Sequence, residues 1–205
     1  MRSPAAIAIV LGLLAAAPSR GQLLNGSFED PEPVATDVWG VVTNPWGDIA
    51  AHWGRWGHWM NREGYWAPTR TGESMIGYHH WQIEQAANSG LYQDITNVPP
   101  NSKCTFTVFA FKDLGTDADS VEVRLEKCGG FETISSNLYP VIGMDVGRWL
   151  PLTVSGVNTS AGVRVLLVVN PKGVTGRNGC LKFDDAGLVV APADGAGDVA
   201  QANGR

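Results

Sequence analysis

The chain is poor in charge, in cysteine and in helix-forming pattern. Charged residues fill 17% of its 205 positions, and the 15 basic residues gather into no cluster against 20 acidic ones. That balance, net −5, argues against a nucleic-acid partner. Three cysteines allow one disulfide and leave one thiol over, and their spacing matches no zinc site. Cys104 and Cys128, which bracket a two-stranded segment in this reading, are the preferred pair, with free buried thiols as the alternative. No His-Glu-x-x-His pattern, nucleophile elbow, phosphate loop or dinucleotide fingerprint occurs, which leaves the commonest hydrolytic and nucleotide chemistries unsupported. After the first apolar run none reaches membrane length. No internal repeat or interior linker divides the chain, so a single domain is expected.

The segments present fall into three parts. Residues 1–21 read as a signal peptide, with Arg2 ahead of the apolar run Ala5 to Ala17. Residues 191–205 are Ala, Gly, Asp and Asn with little to bury, and predict a disordered tail. Residues 22–190 then form one domain, exported to the extracellular space or periplasm. Its 25 glycines (counted over the whole chain) and many β-branched residues favour strands and turns.

Strands are expected around Phe28, at Glu73–Tyr78, Ser89–Ile95, Cys104–Phe111, Val121–Leu125, Trp149–Gly156, Val163–Asn170 and Cys180–Val190, with a short one between Phe131 and Val146. Cys104, Phe106, Val108 and Ala110 alternate as a core face against Thr105, Thr107, Phe109 and Phe111, which read as a ligand-facing set. So many short strands without a helix predict an all-β sandwich of jelly-roll type.

The interval Trp39 to Trp81 departs most from ordinary composition. It holds seven of the eight tryptophans and all four histidines. Its centre, His52-Trp53-Gly54-Arg55-Trp56-Gly57-His58-Trp59, has glycine at every third position, which disfavours a helix and predicts a long loop or short strands. Aromatic side chains are what a sugar binder needs, because a pyranose offers an apolar C–H face and a rim of hydroxyls. The candidates are Trp53, Trp56, Trp59, Trp66, Trp81 and Tyr92, with Tyr78 behind them and Gln82, Arg55 or Asn61 as hydroxyl partners. The alternative is a satellite core packed beneath the loop. His52, His58, His79 and His80 lack a ligand spacing and read as polar edges among the rings.

Two distant stretches carry carboxylates beside apolar residues, Asn25-Gly26-Ser27-Phe28-Glu29 and Phe183-Asp184-Asp185. If first and last strands lie together, Glu29 and Asp184 meet at one end, and two such carboxylates must be solvated, protonated or neutralised by a cation. Oxygen ligands suit Ca²⁺.

With Thr71-Gly72-Glu73-Ser74, Gly90-Leu91-Tyr92-Gln93-Asp94-Ile95 and Trp149 through Gly156 between them, these motifs occur in the order that resembles jelly-roll, galactose-binding-like carbohydrate-binding modules. The nearest kin in pattern are the cellulose- and xylan-binding families four, nine and twenty-two, and the likeness runs from about Leu23 to Val190. It implies a structural Ca²⁺ held by Glu29, Asp184 and main-chain oxygens around Thr71 and Ser74, with Asp185 a weaker match. It also places a binding aromatic at Trp81, ahead of the Tyr92 strand. The Trp-rich insertion and Cys104, where an aromatic is common, depart from the pattern.

The expectation is therefore a secreted, non-catalytic module binding a polysaccharide or oligosaccharide by ring stacking. Two other classes stand beside it: an adhesive surface protein that docks another protein through the aromatic loop, and a glycoside hydrolase or polysaccharide lyase. The hydrolase requires a carboxylate pair about 5–9 Å apart across a cleft, for which Asp48, Glu63, Glu73 and Glu84 are the nearby acids.

Overall fold

The computed structural model describes residues 22–32, 49–57, 60–65, 67–80, 88–116, 118–171 and 179–193. The signal segment, the chain beyond residue 193, and Trp59, Trp66, Trp81, His58, Gln82, Asp48 and Glu84 lie outside them.

Ten strands follow in order: β1 Gly54–Trp56, β2 Met60–Glu63, β3 Met75–His80, β4 Ser89–Thr96, β5 Ser102–Lys112, β6 Ala118–Lys127, β7 Thr133–Pro140, β8 Trp149–Asn158, β9 Gly162–Pro171 and β10 Gly179–Pro192. They pair antiparallel into two five-stranded sheets: sheet I, ordered β1-β4-β9-β6-β7, and sheet II, ordered β2-β3-β10-β5-β8. This is the all-β jelly-roll sandwich that strand spacing predicts.

The period of two in the sequence decides which side chains meet between the sheets. Leu91 and Ile95 of β4, Val121, Val123 and Leu125 of β6, and Val163, Val165, Leu167 and Val169 of β9 face inward from sheet I. They meet Ile76 and Tyr78 of β3, Phe106, Val108 and Ala110 of β5, and Leu181 and Phe183 of β10 from sheet II. Burying one such side chain is worth about 1.5–3 kcal/mol. The predicted inward face of β5 is thus in the core. Its opposite face, read from the sequence as ligand-facing, is covered: Arg70 of the loop before β3 lies over Phe109 at 3.5 Å, and Trp149 of β8 packs against Phe111 at 5.4 Å.

Four expectations change. The Phe28 segment is not a strand. Asn25 and Phe28 have φ of 47° and 58°, and the Asn25 side chain closes the loop by donating to the Asp30 and Ala51 carbonyls and accepting from the Asp30 amide. That loop drops Phe28 into the core at 1% exposure. Second, the cysteines are free. Cys104 is buried in sheet II while Cys128 is exposed after β6 of sheet I, so the strands they bracket belong to different sheets. Third, Trp53 belongs to the core. It is 4% exposed, packs on Phe28 at 5.3 Å, and donates its indole N–H to the Asn25 carbonyl. Fourth, Ala191 and Pro192 are strand residues at the end of β10, not the start of a tail.

Candidate functional site

The outer face of sheet I carries the residues that alternate with its core set. Cross-strand register places them in rows: Trp56, Gly90, Val168, Glu122 and Leu138 in one, and Gly54, Tyr92, Leu166, Arg124 and Ser136 in the next. Asp94, Arg164 and Glu126 follow in a third.

Two glycines shape one corner of this face. A Cβ at Gly54 would fall 2.3 Å from the Tyr92 ring, and one at Gly90 would fall 2.3 Å from the Trp56 ring and 2.5 Å from the Leu167 carbonyl. Each ring therefore lies against the bare backbone of the neighbouring strand. The two rings stand 6.3 Å apart at 41°, both half-buried, and the Trp56 indole N–H donates to Asn88 Oδ1. Beside them Leu166 and Val168 add apolar floor.

Charge on this face is paired. Arg124 donates to both oxygens of Glu122 and to Glu126 Oε1. These bonds, Glu122 first, raise its pKa further. Arg164 donates two bonds to Asp94, which lower the Asp94 pKa and raise its own. The Arg164 guanidinium also lies 4.4 Å from the Tyr92 ring centroid. Charge-assisted bidentate pairs of this kind hold a side chain in one geometry. Sequence reasoning found Trp56 and Tyr92 but missed Asp94, Glu122, Arg124, Glu126 and Arg164. The alternation Glu122-x-Arg124-x-Glu126 was the available signal, since it sets three charges on one face of one strand.

A second constellation joins the chain's distant acids. Glu29 accepts the amides of Glu73 and Ser74 at 3.1 Å each. Asp184 accepts those of Arg70, Thr71 and Asp185 at 2.8, 3.2 and 2.7 Å. The loop 70–74 is thus strung between the two carboxylates. Its apex, Gly72, has φ of 58°, and Glu29 Oε1 occupies the place a Cβ would take, at 2.1 Å. Asp185, at a bulge in β10, pairs with Arg70 and accepts the Thr71 hydroxyl.

The structure therefore brings Glu29, Thr71, Ser74 and Asp184 together around one loop. Asp184 is fully buried, and desolvation pushes its pKa to about 6 despite three amide donors. The nearby Arg70 is committed to Asp185. Carboxylate and hydroxyl oxygens are hard ligands of the kind Ca²⁺ takes; here the carboxylates accept main-chain amides and the Thr71 hydroxyl donates to Asp185. Among the described residues no three His, Cys, Asp or Glu side chains group as a metal site.

The remaining polar candidates fall on the outer face of sheet II and around β1. Glu63 forms a buried ion pair with Lys182 and bonds His79 Nε2 at 2.7 Å, while Lys182 Nζ lies 3.1 Å from the same nitrogen. Gly77 makes room, because the Glu63 carboxylate lies 2.2 Å from its Cβ position. His79 is thus an ion-pair partner at 5% exposure and not an edge among rings. His52 and Glu73 are exposed, Tyr78 is in the core, and Arg55 donates to Asn61 Oδ1. Among the described residues no helix is long and apolar enough to cross a membrane.

The sequence matches no protein-family profile and no curated protein sequence. Solved structures do match. An arabinose-bound GH51 α-L-arabinofuranosidase superposes with a TM-score of 0.55 at 9% identity, over 83% of this chain. This chain spans 26% of that protein. A family 61 carbohydrate-binding module in complex with β-1,4-galactotriose gives 0.54 at 16% identity, over 83% of this chain and 99% of its own. A carbohydrate-binding module of the β-sandwich superfamily gives 0.51 at 12% identity, over 69% and 58%. What is shared at these identities is architecture: the chain has the two-sheet jelly-roll fold found in carbohydrate-binding modules.

Proposed function

We propose that this chain is an exported, non-catalytic carbohydrate-binding module. It holds a polysaccharide or oligosaccharide on the outer face of sheet I, with Trp56 and Tyr92 as stacking rings and one structural Ca²⁺ at the Glu29–Asp184 loop. The observation that carries the reading is the pair of half-buried rings laid against Gly54 and Gly90 beside a row of fixed charges. A pyranose needs both parts, an apolar platform for its C–H face and rigid acceptors and donors for its hydroxyls. A well-placed ring is worth on the order of 1 kcal/mol beyond its area burial. Asp94, Glu122, Arg124, Glu126 and Arg164 supply the hydroxyl partners. Binding of this kind falls between about mM and µM.

In this reading the metal is structural. Bound Ca²⁺ neutralises the carboxylates it touches, and the residues that would hold it are Glu29, Asp184 and oxygens of Thr71 and Ser74. At 100-fold saturation it adds about 2–3 kcal/mol of stability. Glu63, His79 and Lys182 are an acid, an imidazole and an amine, yet at 4%, 5% and 0% exposure they satisfy one another. That favours binding over acid–base chemistry.

The test is retention on insoluble and soluble polysaccharides, with Ca²⁺ and with chelator, for the full chain and for Trp56→Ala and Tyr92→Ala. Loss of retention in folded variants supports the reading. No retention of the folded wild type on any glycan of a broad panel would sink it and turn attention to a protein partner.

A further inference from the structure

Among the described residues the large hydrophobic side chains Leu114, Phe131 and Ile142 stand almost wholly in solvent. Phe131, at the tip of the β6–β7 hairpin, is 99% exposed. It also holds a φ of 76°, after Gly129 at 91° and Gly130 at 86°. A left-handed backbone is unfavourable for a non-glycine residue, and such strain persists only where the surroundings impose it.

Here the surroundings are the outer face of sheet I. The Gly129 amide donates to Asp94 Oδ1 at 2.9 Å, and the Phe131 amide donates to Glu126 Oε2 at 3.2 Å. Gly130 lies so close to Arg164 that a Cβ there would fall 2.2 Å from its guanidinium nitrogen. Three successive residues of the tip are thus tied to the third row of the face. Arg164 in turn covers Tyr92. The tip forms a rim continuous with the floor that holds Trp56 and Tyr92, and the residue it carries into solvent is aromatic.

We propose that Phe131 is a second stacking platform, at the far edge of the same face, and that the face takes a neutral glycan chain of at least three sugar units. Length follows from position. Trp56 stands in the first row of the face and the hairpin tip is tied to the third, four residues along the strands or about 13 Å. One pyranose or a disaccharide touches one platform, and a longer chain reaches both. Neutrality follows from charge. Both arginines of the floor are already bonded to Glu122, Glu126 and Asp94, so the face presents three acids against two bases and offers a uronate no uncommitted cation among these residues.

This inference rests on the glycan reading of the face, and the experiment separates the two. Disaccharides and hexasaccharides of β-1,4-linked galactose, xylose and glucose are titrated calorimetrically, with a polygalacturonate hexamer as the charged control. The proteins are wild type, Trp56→Ala, Phe131→Ala, Phe131→Gly and Phe131→Tyr. The expected result is a wild-type preference of tenfold or more for one neutral hexasaccharide over its disaccharide. Phe131→Ala and Phe131→Gly lose that preference while keeping disaccharide affinity, Phe131→Tyr retains it, and Trp56→Ala weakens both ligands. Phe131→Gly also relieves the backbone, so its melting temperature holds or rises and misfolding cannot explain the loss.

Hexasaccharide affinity unchanged in Phe131→Ala, with Trp56→Ala still defective, overturns the platform and leaves the glycan face standing. A preference for the polygalacturonate hexamer overturns the neutral class. No sugar bound by wild type overturns both readings.

Discussion

Asp184 offers the most quantitative test, because its burial and its proposed role pull stability in opposite directions. The side chain is fully buried, and desolvation moves its pKa from 3.8 to about 6. The folded state therefore holds this proton more tightly than the unfolded state. Its contribution to stability is complete below about pH 4, falls as the pH rises toward 6, and above that the ionised carboxylate is a net cost. The rise from 3.8 to about 6, at about 1.4 kcal/mol for each factor of ten in proton affinity, puts that cost near 3 kcal/mol at pH 7 without metal.

Urea unfolding of wild type and Asp184→Asn, in chelator at pH 4, 5, 6 and 7, measures it. The amide cannot titrate, and its altered hydrogen bonding to the Arg70, Thr71 and Asp185 amides is an offset independent of pH. The wild-type stability relative to the variant should fall by about 2–3 kcal/mol between pH 4 and 7. Saturating Ca²⁺ at pH 7 should then restore about that much to wild type and much less to the variant, since the ionised carboxylate is what the cation binds. A wild-type-minus-variant difference that stays flat with pH in chelator refutes the burial argument. Equal Ca²⁺ increments in both proteins refute the metal assignment.

Other outcomes follow from single contacts. Gly90→Ala places a methyl against the Trp56 ring and the Leu167 carbonyl. It should destabilise by about 1–3 kcal/mol in thermal unfolding and abolish glycan retention, because the ring must leave its seat. Lys182→Met leaves Glu63 buried beside His79 without its cation, and should cost about 3–5 kcal/mol by urea titration; a loss under 1 kcal/mol would mean the pair is dispensable. Trp53→Ala removes a core ring and the tie to the Asn25 carbonyl, so it should cost about 3–5 kcal/mol while Trp56→Ala, on the surface, costs little. Comparing their melting temperatures separates the core tryptophan from the ligand candidate.

The contrast between Trp53 and Trp56 shows what was legible in the sequence. Both lie in the same glycine-punctuated run, three residues apart, and composition treats them alike. Their fates differ because β1 begins at Gly54: Trp56 falls on the outer face over Gly90, while Trp53 precedes the strand and turns in beneath Phe28. The cysteines teach the same lesson. Cys104 and Cys128 look like flanks of one hairpin until β5 and β6 prove to belong to different sheets. The ion pairs of the sheet I face were hidden because Asp94 and Arg164 are 70 residues apart in sequence.

The sequence by itself determined the class of the fold. Alternation with a period of two, read along β5, β6, β9 and β10, names the core residues, because in a strand every second side chain must face the same way. It also pointed to Glu29, Asp184 and the Thr71–Ser74 stretch, through motifs in a recognisable order, and these lie around one loop. Tertiary structure alone decided which aromatics stay at the surface, which arginines are spent on carboxylates, and that the β6–β7 hairpin tip folds onto the sheet I face. Those outcomes depend on strand order and register, which are set by how two whole sheets bury their apolar sides together, and no local window of sequence contains that information.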